Sequence, residues 1–144
     1  MKIETDISVK DQNATCDNAV LSSRLFRGFS IKHNNWIYGD LIHTPEKRMR
    51  IINYTDISSD GVDNFITINE MVESKSVGQC VGLFDAKADD IYEGDIIQDI
   101  RFKYKYIVVY EGNQYVAKSN TGSIGLFETE DCYKIIGNRF QNPD

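Results

Sequence analysis

Five acidic side chains stand close together in one short stretch and are the first group in the sequence that could do chemistry. They are Asp85, Asp89, Asp90, Glu93 and Asp95. A calcium loop of the EF-hand type that begins at Asp85 needs an oxygen ligand at its third position, where the chain has Lys87. It also needs glycine and glutamate further on, where the chain has Asp90 and Ile96. We therefore predict a solvated acidic loop and assign no metal site.

Two of these carboxylates, Glu93 and Asp95, have the spacing of an acid–base pair, because alternate residues of a strand share a face. Acid–base catalysis also needs burial that separates the two pKa values. Gly94 between them indicates a turn instead. We assign no catalytic residue and no cofactor, and we expect a protein that is not an enzyme. A triad assembled from distant residues stays open at this point.

The segment "RFKYKY" alternates three cations with three aromatic rings. On a strand, Arg101, Lys103 and Lys105 would face one side and the rings the other. The favoured interpretation is a core face of rings and a solvated basic face. The alternative is a nucleic-acid site in which the three cations meet phosphates. The net charge of −6 gives no long-range attraction to nucleic acid.

Another group combines three aromatic rings with one cation: Phe26, Arg27, Trp36 and Tyr38. Such residues often anchor protein interfaces, so they could line a pocket or a subunit interface. They could equally form core packing in which Arg27 stacks on a ring. The sequence leaves both interpretations open.

The elements that must position these residues are mainly strands. Residues 25–43 predict two strands around His33–Asn35, and residues 48–57 and 62–69 predict two more with a turn at Asp60–Gly61. The segment "NEMVESKS", from Asn69 to Ser76, predicts a short helix capped by Asn69. Short strands separated by turns indicate a mainly β fold with one or two short helices, built as a small barrel or sandwich.

The second half carries the strongest strand pattern. Residues 94–112 alternate over their whole length, with the rings of residues 102, 104, 106 and 110 on one face that we expect to be buried. Gly112-Asn113 then predicts a two-residue hairpin turn. Residues 114–120, 124–127 and 132–138 predict three further strands.

Three stretches resemble the YopX family of phage and prophage proteins. They are "FRGFSIKHNNWIYGDLIH" from Phe26, "VGQCVGLFDAKADDIYEGDII" from Val77 and "IIGNRFQNPD" from Ile135. The resemblance covers residues 25–144, in the right order, and departs at Ala86–Asp90, where family members commonly place Asn-Gly. It implies a mainly β fold whose C-terminal half resembles an SH3-like barrel, a phage or prophage origin, and homo-oligomeric assembly. It implies no activity.

From this resemblance and the residue patterns we expect an N-terminal arm over residues 1–24 and one domain over 25–144. The domain divides into a β subunit, 25–90, and an SH3-like barrel, 91–144. We expect a non-catalytic module that associates with itself and binds a host or phage macromolecule. No secretory signal or membrane-spanning run is visible, so we expect the protein in the cytoplasm of a bacterial host and not at a membrane.

Overall fold

Strands make up most of the chain, as the sequence predicts. We describe the protein from a computed structural model, which covers residues 24–56 and 64–143. Two antiparallel sheets contain all the named strands. The mainly β prediction is therefore confirmed. The predicted arm, apart from Arg24, and the predicted turn at Asp60–Gly61 lie outside the described residues.

The first sheet has six strands. They are β1 (Phe26–Phe29), β2 (Trp36–His43), β3 (Met49–Asp56), β4 (Asn64–Val72), β5 (Gly78–Phe84) and β6 (Asp90–Tyr92). Their order across the sheet is β4-β3-β2-β1-β5-β6. The short strand β1 pairs with β2 on one side and with β5 on the other. Arg27 consequently lies directly between Tyr38 and Gly78.

The second sheet has five strands. They are β7 (Asp95–Asp99), β8 (Lys105–Glu111), β9 (Gln114–Ser119), β10 (Gly122–Gly125) and β11 (Tyr133–Asn138). Their order is β10-β9-β8-β7-β11, and the four-residue helix α1 (Thr129–Cys132) precedes β11. Within the described residues no strand pairing joins β10 to β11, so hydrogen bonds do not close this sheet. The SH3-like barrel and the division at residue 90 stay predictions.

The tightest predicted turn is present as expected. Gly112 and Asn113 connect β8 to β9, and both have positive φ, at 61° and 63°. Positive φ at both central residues is the requirement of the hairpin turn whose twist matches the flanking strands. Glu111 and Gln114 pair across it, which sets the register of the hairpin.

The predicted helix at Asn69–Ser76 is wrong. Strand β4 continues to Val72, because Asn69 and Met71 pair with residues of β3. Val72 is buried in the core of the first sheet. Only Ser74–Ser76 form a single 3₁₀ turn. Pairing with β3 therefore determined the conformation of this segment, although the local sequence favoured a capped helix.

The predicted long strand over residues 94–112 is also wrong. It divides into β7 and β8, joined by a loop from Ile100 to Tyr104 that we name the tip loop. The Asp99 carboxylate accepts the backbone N–H groups of Arg101 and Phe102, at 2.8 and 2.7 Å, which turns the chain. Lys103 then has φ of 67°, a left-handed conformation that no strand contains.

Each sheet has its own apolar core. Ile37, Ile51 and Val72 form the first core. The second core combines β6 with the five-stranded sheet and includes Ile91, Ile97, Val108, Ala117 and Tyr133. Val81 and Leu83 of β5 pack against this second core, so β5 contributes to both halves of the molecule. The two sheets therefore meet along β5, β6 and the turns that flank β6.

Candidate functional site

The acidic stretch lies where the two sheets meet, and it is not a solvated loop as predicted. Asp85, Asp90 and Asp95 are only 1%, 8% and 1% exposed, whereas Asp89 is exposed. Buried carboxylates are costly unless they are paired or hydrogen-bonded. The contacts that each buried carboxylate makes therefore decide what the site can do.

Asp85 connects the turn before β6 to the last strand. Its Oδ1 accepts the N–H groups of Lys87 and Asp89, at 2.9 and 3.0 Å. Its Oδ2 accepts the N–H of Ile135 in β11, at 2.9 Å. Three backbone donors satisfy this carboxylate, and Ala88 takes a left-handed φ of 68° within the turn. Asp85 thus holds this turn through hydrogen bonds to backbone groups two and four residues on.

Asp95 connects the two sheets through an ion pair. Its Oδ1 lies 2.8 Å from Nη1 of Arg27 in β1, and both side chains are buried. Its Oδ2 accepts the N–H of Tyr92 at 2.8 Å. The Arg27 guanidinium lies over the rings of Trp36 and Tyr92, at 4.6 and 5.0 Å from their centroids. The pair is therefore held by two rings as well as by charge.

Asp90 has the least complete set of partners. Its carboxylate lies 3.5 Å from Nε of Arg24, and neither oxygen accepts a hydrogen bond of ordinary length within the described residues. Burial raises the pKa of Asp90 from 3.8 to about 6, although the Arg24 charge opposes this shift. Burial likewise raises the pKa of the neighbouring Tyr92. We name Arg24, Arg27, Asp90, Tyr92 and Asp95 the junction cluster.

An open cavity of about 350 Å³ adjoins the junction cluster. Tyr38 also lines it, with the Arg24 guanidinium 4.0 Å from its ring centroid. The Tyr92 hydroxyl donates to the backbone carbonyl of Arg24 at 2.6 Å. A buried acid with a raised pKa beside a cavity is a common sign of a functional site. Here Arg27 and Tyr92 also bind Asp95 of the other sheet, so the cluster has a structural role.

Glu93 and Asp95 do not form the acid–base pair that their spacing allowed. Asp95 binds Arg27, whereas Glu93 lies 3.6 Å from Arg139 in a half-exposed ion pair. Gly94 between them has φ of 96°, so the chain turns there as predicted. The two carboxylates consequently bind different cations, Asp95 binding Arg27 and Glu93 lying beside Arg139.

The four residues predicted to form an interface or a packed cluster separate into three environments. Phe26 packs against the first core, and Tyr38 packs against Tyr92 with ring centroids 5.6 Å apart. Trp36 packs edge-on against Phe29 and Phe140, at 5.4 and 5.9 Å. Only Arg27 contacts both Trp36 and Tyr92. Their assignment to a pocket or subunit interface stays a prediction.

The predicted basic strand face does not exist, because Arg101 and Lys103 lie in the tip loop and only Lys105 begins a strand. All three cations are exposed. Phe102 and Tyr104 were expected in the core, yet each is 64% exposed. Their rings stack with centroids 6.2 Å apart, and the Arg101 guanidinium lies 5.5 Å from the Phe102 centroid. Rings and cations therefore share one accessible surface.

A second surface was not foreseen in the sequence. The outer face of the five-stranded sheet, opposite the second core, contains a cleft of about 660 Å³ that we name the basic cleft. Its lining includes the aliphatic residues Ile96, Ile107, Val109 and Ile136, the ring of Tyr106, and the cations Lys105, Lys118 and Arg139. The alternation of Ile96 with Ile97, and of Ile107 with Val108, could have indicated apolar residues on both faces of β7 and β8.

The described residues, 24–56 and 64–143, contain no group of three or more His, Cys, Asp or Glu side chains arranged to hold a metal ion. The same residues include no helix of the length and hydropathy that a bilayer crossing requires.

The junction explains why the motif residues recognised in the sequence occur together. Arg27 belongs to the Phe-Arg-Gly stretch, Trp36 to the Trp-x-Tyr-Gly stretch, and Asp95 to the Tyr-Glu-Gly-Asp stretch. These residues meet in one cluster although they are distant in sequence. Gly78 of the second motif stretch also lies at the junction. A Cβ there would lie only 2.3 Å from the carbonyl oxygen of Glu93, so this position has no room for a side chain.

The comparison with protein families agrees with this pattern. A family model described as YopX protein matches residues 25–144. A search of curated proteins found no similar sequence. The family match covers every described residue except Arg24, including all the strands of both sheets. The chain therefore belongs to the YopX protein family.

Proposed function

We propose that this protein is a phage- or prophage-derived, non-catalytic module that associates with itself and binds a host or phage macromolecule in the bacterial cytoplasm. The observation that carries the proposal is the outer face of the five-stranded sheet. Ile97 and Val108 face the core, so their neighbours Ile96, Ile107 and Val109 point outward. An apolar outer face that lines a cleft is typical of a surface that another protein covers.

The buried carboxylates support the non-catalytic part of the proposal. Asp85 accepts three backbone N–H groups, and Asp95 accepts one while binding Arg27. These contacts use the oxygens that a general base would need for a substrate proton. Asp90 is the remaining buried acid; Arg24 pairs with it and accepts the hydroxyl of Tyr92, whose backbone N–H donates to Asp95 of the other sheet.

Light scattering after size-exclusion chromatography tests self-association. At protein concentrations of tens of micromolar we expect a mass that is a multiple of the monomer mass. The mass should fall at high dilution, as expected for reversible assembly. A strict monomer throughout this range would overturn the proposal.

A second candidate function is binding of single-stranded nucleic acid by the tip loop and Lys105. The observation that favours it is the exposure of Phe102 and Tyr104 beside Arg101. Single-stranded binders stack bases on accessible rings while cations contact the phosphates. The arrangement meets both requirements, which a buried aromatic face would not.

Titration of a fluorescent single-stranded oligonucleotide at several salt concentrations tests this candidate. Three phosphate contacts predict a slope of log affinity against log salt of about −2. Replacing Arg101, Lys103 and Lys105 together by alanine should abolish binding. The matched control replaces the exposed lysines Lys32, Lys75 and Lys87, which changes the net charge equally. Equal loss in both variants, or no binding at low salt, would eliminate the candidate.

A further inference from the structure

The basic cleft has a chemical complement elsewhere on the same chain. Phe127 is 74% exposed, the highest exposed fraction among the large hydrophobic side chains that the structure describes. Glu128, Glu130 and Asp131 follow it, and all three are exposed. None of these acids forms an ion pair within residues 24–56 and 64–143. We name Phe127 and these three acids the acidic knob.

The Phe127 ring of the acidic knob and the basic cleft lie on the same face of the five-stranded sheet. Val109, which lines the cleft, pairs with Val116, and Val116 pairs with Gly125. Directly paired residues point to the same side of a sheet. A Cβ on Gly125 would lie 2.6 Å from the Phe127 ring, so this ring covers the outer side of β10. The basic cleft and the Phe127 ring therefore occupy different parts of one outer face.

The charges available on the two parts are opposite. Lys105 forms no ion pair within the described chain, and the pairs of Lys118 with Glu111 and Arg139 with Glu93 are half exposed. Half-exposed pairs contribute little and exchange readily with other partners. The cleft thus combines three cations with apolar side chains, and the knob combines three exposed acids with an exposed phenylalanine that is close to them in sequence. Because no residue of the knob lines the cleft, a second copy is the occupant that this match favours.

We propose that two copies pair through their outer faces, with the Phe127 ring of each copy seated in the basic cleft of the other. This inference rests on the proposed self-association and names its surface. Because the Phe127 ring and the cleft share one face, a two-fold axis lets both contacts form at once and closes the assembly as a dimer. Glu130 and Asp131 then face Lys105 and Lys118 of the second copy.

Sedimentation velocity of the full chain at several concentrations tests the pairing. Phe127→Ser should weaken the dimer at least tenfold and leave the monomer folded, because the side chain is mostly exposed. The matched control is Phe102→Ser, which changes another mostly exposed phenylalanine, in the tip loop. This control should leave the dimer unchanged.

Charge reversal supplies a second test, because misfolded variants would not recover a dimer when they are mixed. The variants Lys105→Glu with Lys118→Glu, and Glu130→Lys with Asp131→Lys, should each be monomeric when alone. Mixed in equal amounts, they should form a heterodimer, because every reversed cleft then meets a reversed knob. Circular dichroism of each variant verifies that the monomers are folded.

The outcomes separate this inference from the function on which it rests. A monomeric natural chain overturns both. A dimer or larger assembly that survives Phe127→Ser, or a mixture that stays monomeric, overturns this interface and leaves self-association standing. Loss of oligonucleotide binding in Lys118→Glu alone, which leaves the tip loop and Lys105 unchanged, assigns the cleft to nucleic acid if the dimer persists, and it also overturns the inference.

Discussion

At the scale of single residues, the decisive feature is that buried charges join the two sheets. Arg27 binds Asp95 between β1 and β7, and Asp85 accepts the Ile135 N–H from β11. A buried pair contributes little net stability when it is intact, because desolvation offsets the attraction, but removing one partner leaves an uncompensated charge. The junction should therefore be sensitive to single substitutions that preserve shape and change charge.

We expect Asp95→Asn to lower the free energy of unfolding by about 3 to 5 kcal/mol, because it leaves Arg27 buried without its counter-charge. Denaturant unfolding measures this loss. The matched control is Glu93→Gln, which makes the same chemical change in a partly exposed pair with Arg139 and should cost about 0 to 1 kcal/mol. Equal effects from the two variants would contradict the assigned role of Asp95.

Asp90 makes stability depend on pH in the opposite sense to an ordinary salt-bridged acid. Burial raises its pKa to about 6 in the folded state, so between pH 4 and 6 the folded chain binds more protons at this site than the unfolded chain does. The free energy of unfolding should therefore fall as pH rises through this window.

We expect Asp90→Asn to remove this dependence. Relative to the natural chain, the variant should gain roughly 2 kcal/mol between pH 4.5 and 7.5, because the amide does not ionise. Thermal or denaturant unfolding across this pH range measures the difference. Asp89→Asn changes the exposed neighbour and should produce no comparable gain. A pH-independent difference between Asp90→Asn and the natural chain would disprove the shift.

At the scale of elements, the hairpin of β7 and β8 carries the tip loop on a defined turn. The Asp99 side chain binds two backbone N–H groups, and its backbone carbonyl accepts the N–H of Lys103 at 2.9 Å. Gln98 and Lys105 pair at the base of the loop. The turn thus presents Phe102 and Tyr104 together, and its geometry depends on one carboxylate.

Asp99→Ala should destabilise the chain by about 1 kcal/mol, because it removes two solvent-accessible hydrogen bonds. In the same variant, amide exchange of Arg101 and Phe102 should accelerate while exchange in β9 stays unchanged. Asp89→Ala, an exposed aspartate whose side chain accepts no hydrogen bond within the described residues, is the matched control. Unchanged exchange in the tip loop would show that Asp99 does not hold it.

At the scale of the whole molecule, β5 and β6 of the six-stranded sheet pack into the second core, and Ile96, Ile107 and Val109 on the outer face of the five-stranded sheet stay partly exposed. A sheet whose two faces are both apolar is normally covered on both sides. Here the inner face packs on Val81 and Leu83, whereas the outer face borders the basic cleft. Self-association would bury this outer face of the five-stranded sheet.

Assembly predicts a melting temperature that depends on protein concentration. Each tenfold increase above the dissociation constant should add about 1.4 kcal/mol to the stability of the dimer, which is about 0.7 kcal/mol per chain, and raise the melting temperature by roughly 2 to 3 °C. Scanning calorimetry of the natural chain measures this rise. In Phe127→Ser this rise should begin only at concentrations at least tenfold higher, and an unchanged concentration dependence in this variant would place the interface elsewhere.

Local patterns in the sequence were sufficient for several parts of this protein. Apolar alternation predicted β2, β3 and β11, and Gly112-Asn113 predicted a tight hairpin, because positive φ at both positions leaves few alternatives. The motif stretches predicted that the chain belongs to the YopX protein family, and the family model confirms this. These signals act within a few residues and need no distant partner.

Only the tertiary structure decided which charges are buried and which rings are exposed. Period-two alternation assigns side chains to faces only while a strand continues, and the Asp99 turn interrupts it, so Phe102 and Tyr104 point to solvent. Likewise, Asp85 and Asp95 look like solvent-facing acids until Ile135 and Arg27 arrive from distant parts of the chain. A sequence states the charge of a side chain, but its burial depends on partners that only folding brings together.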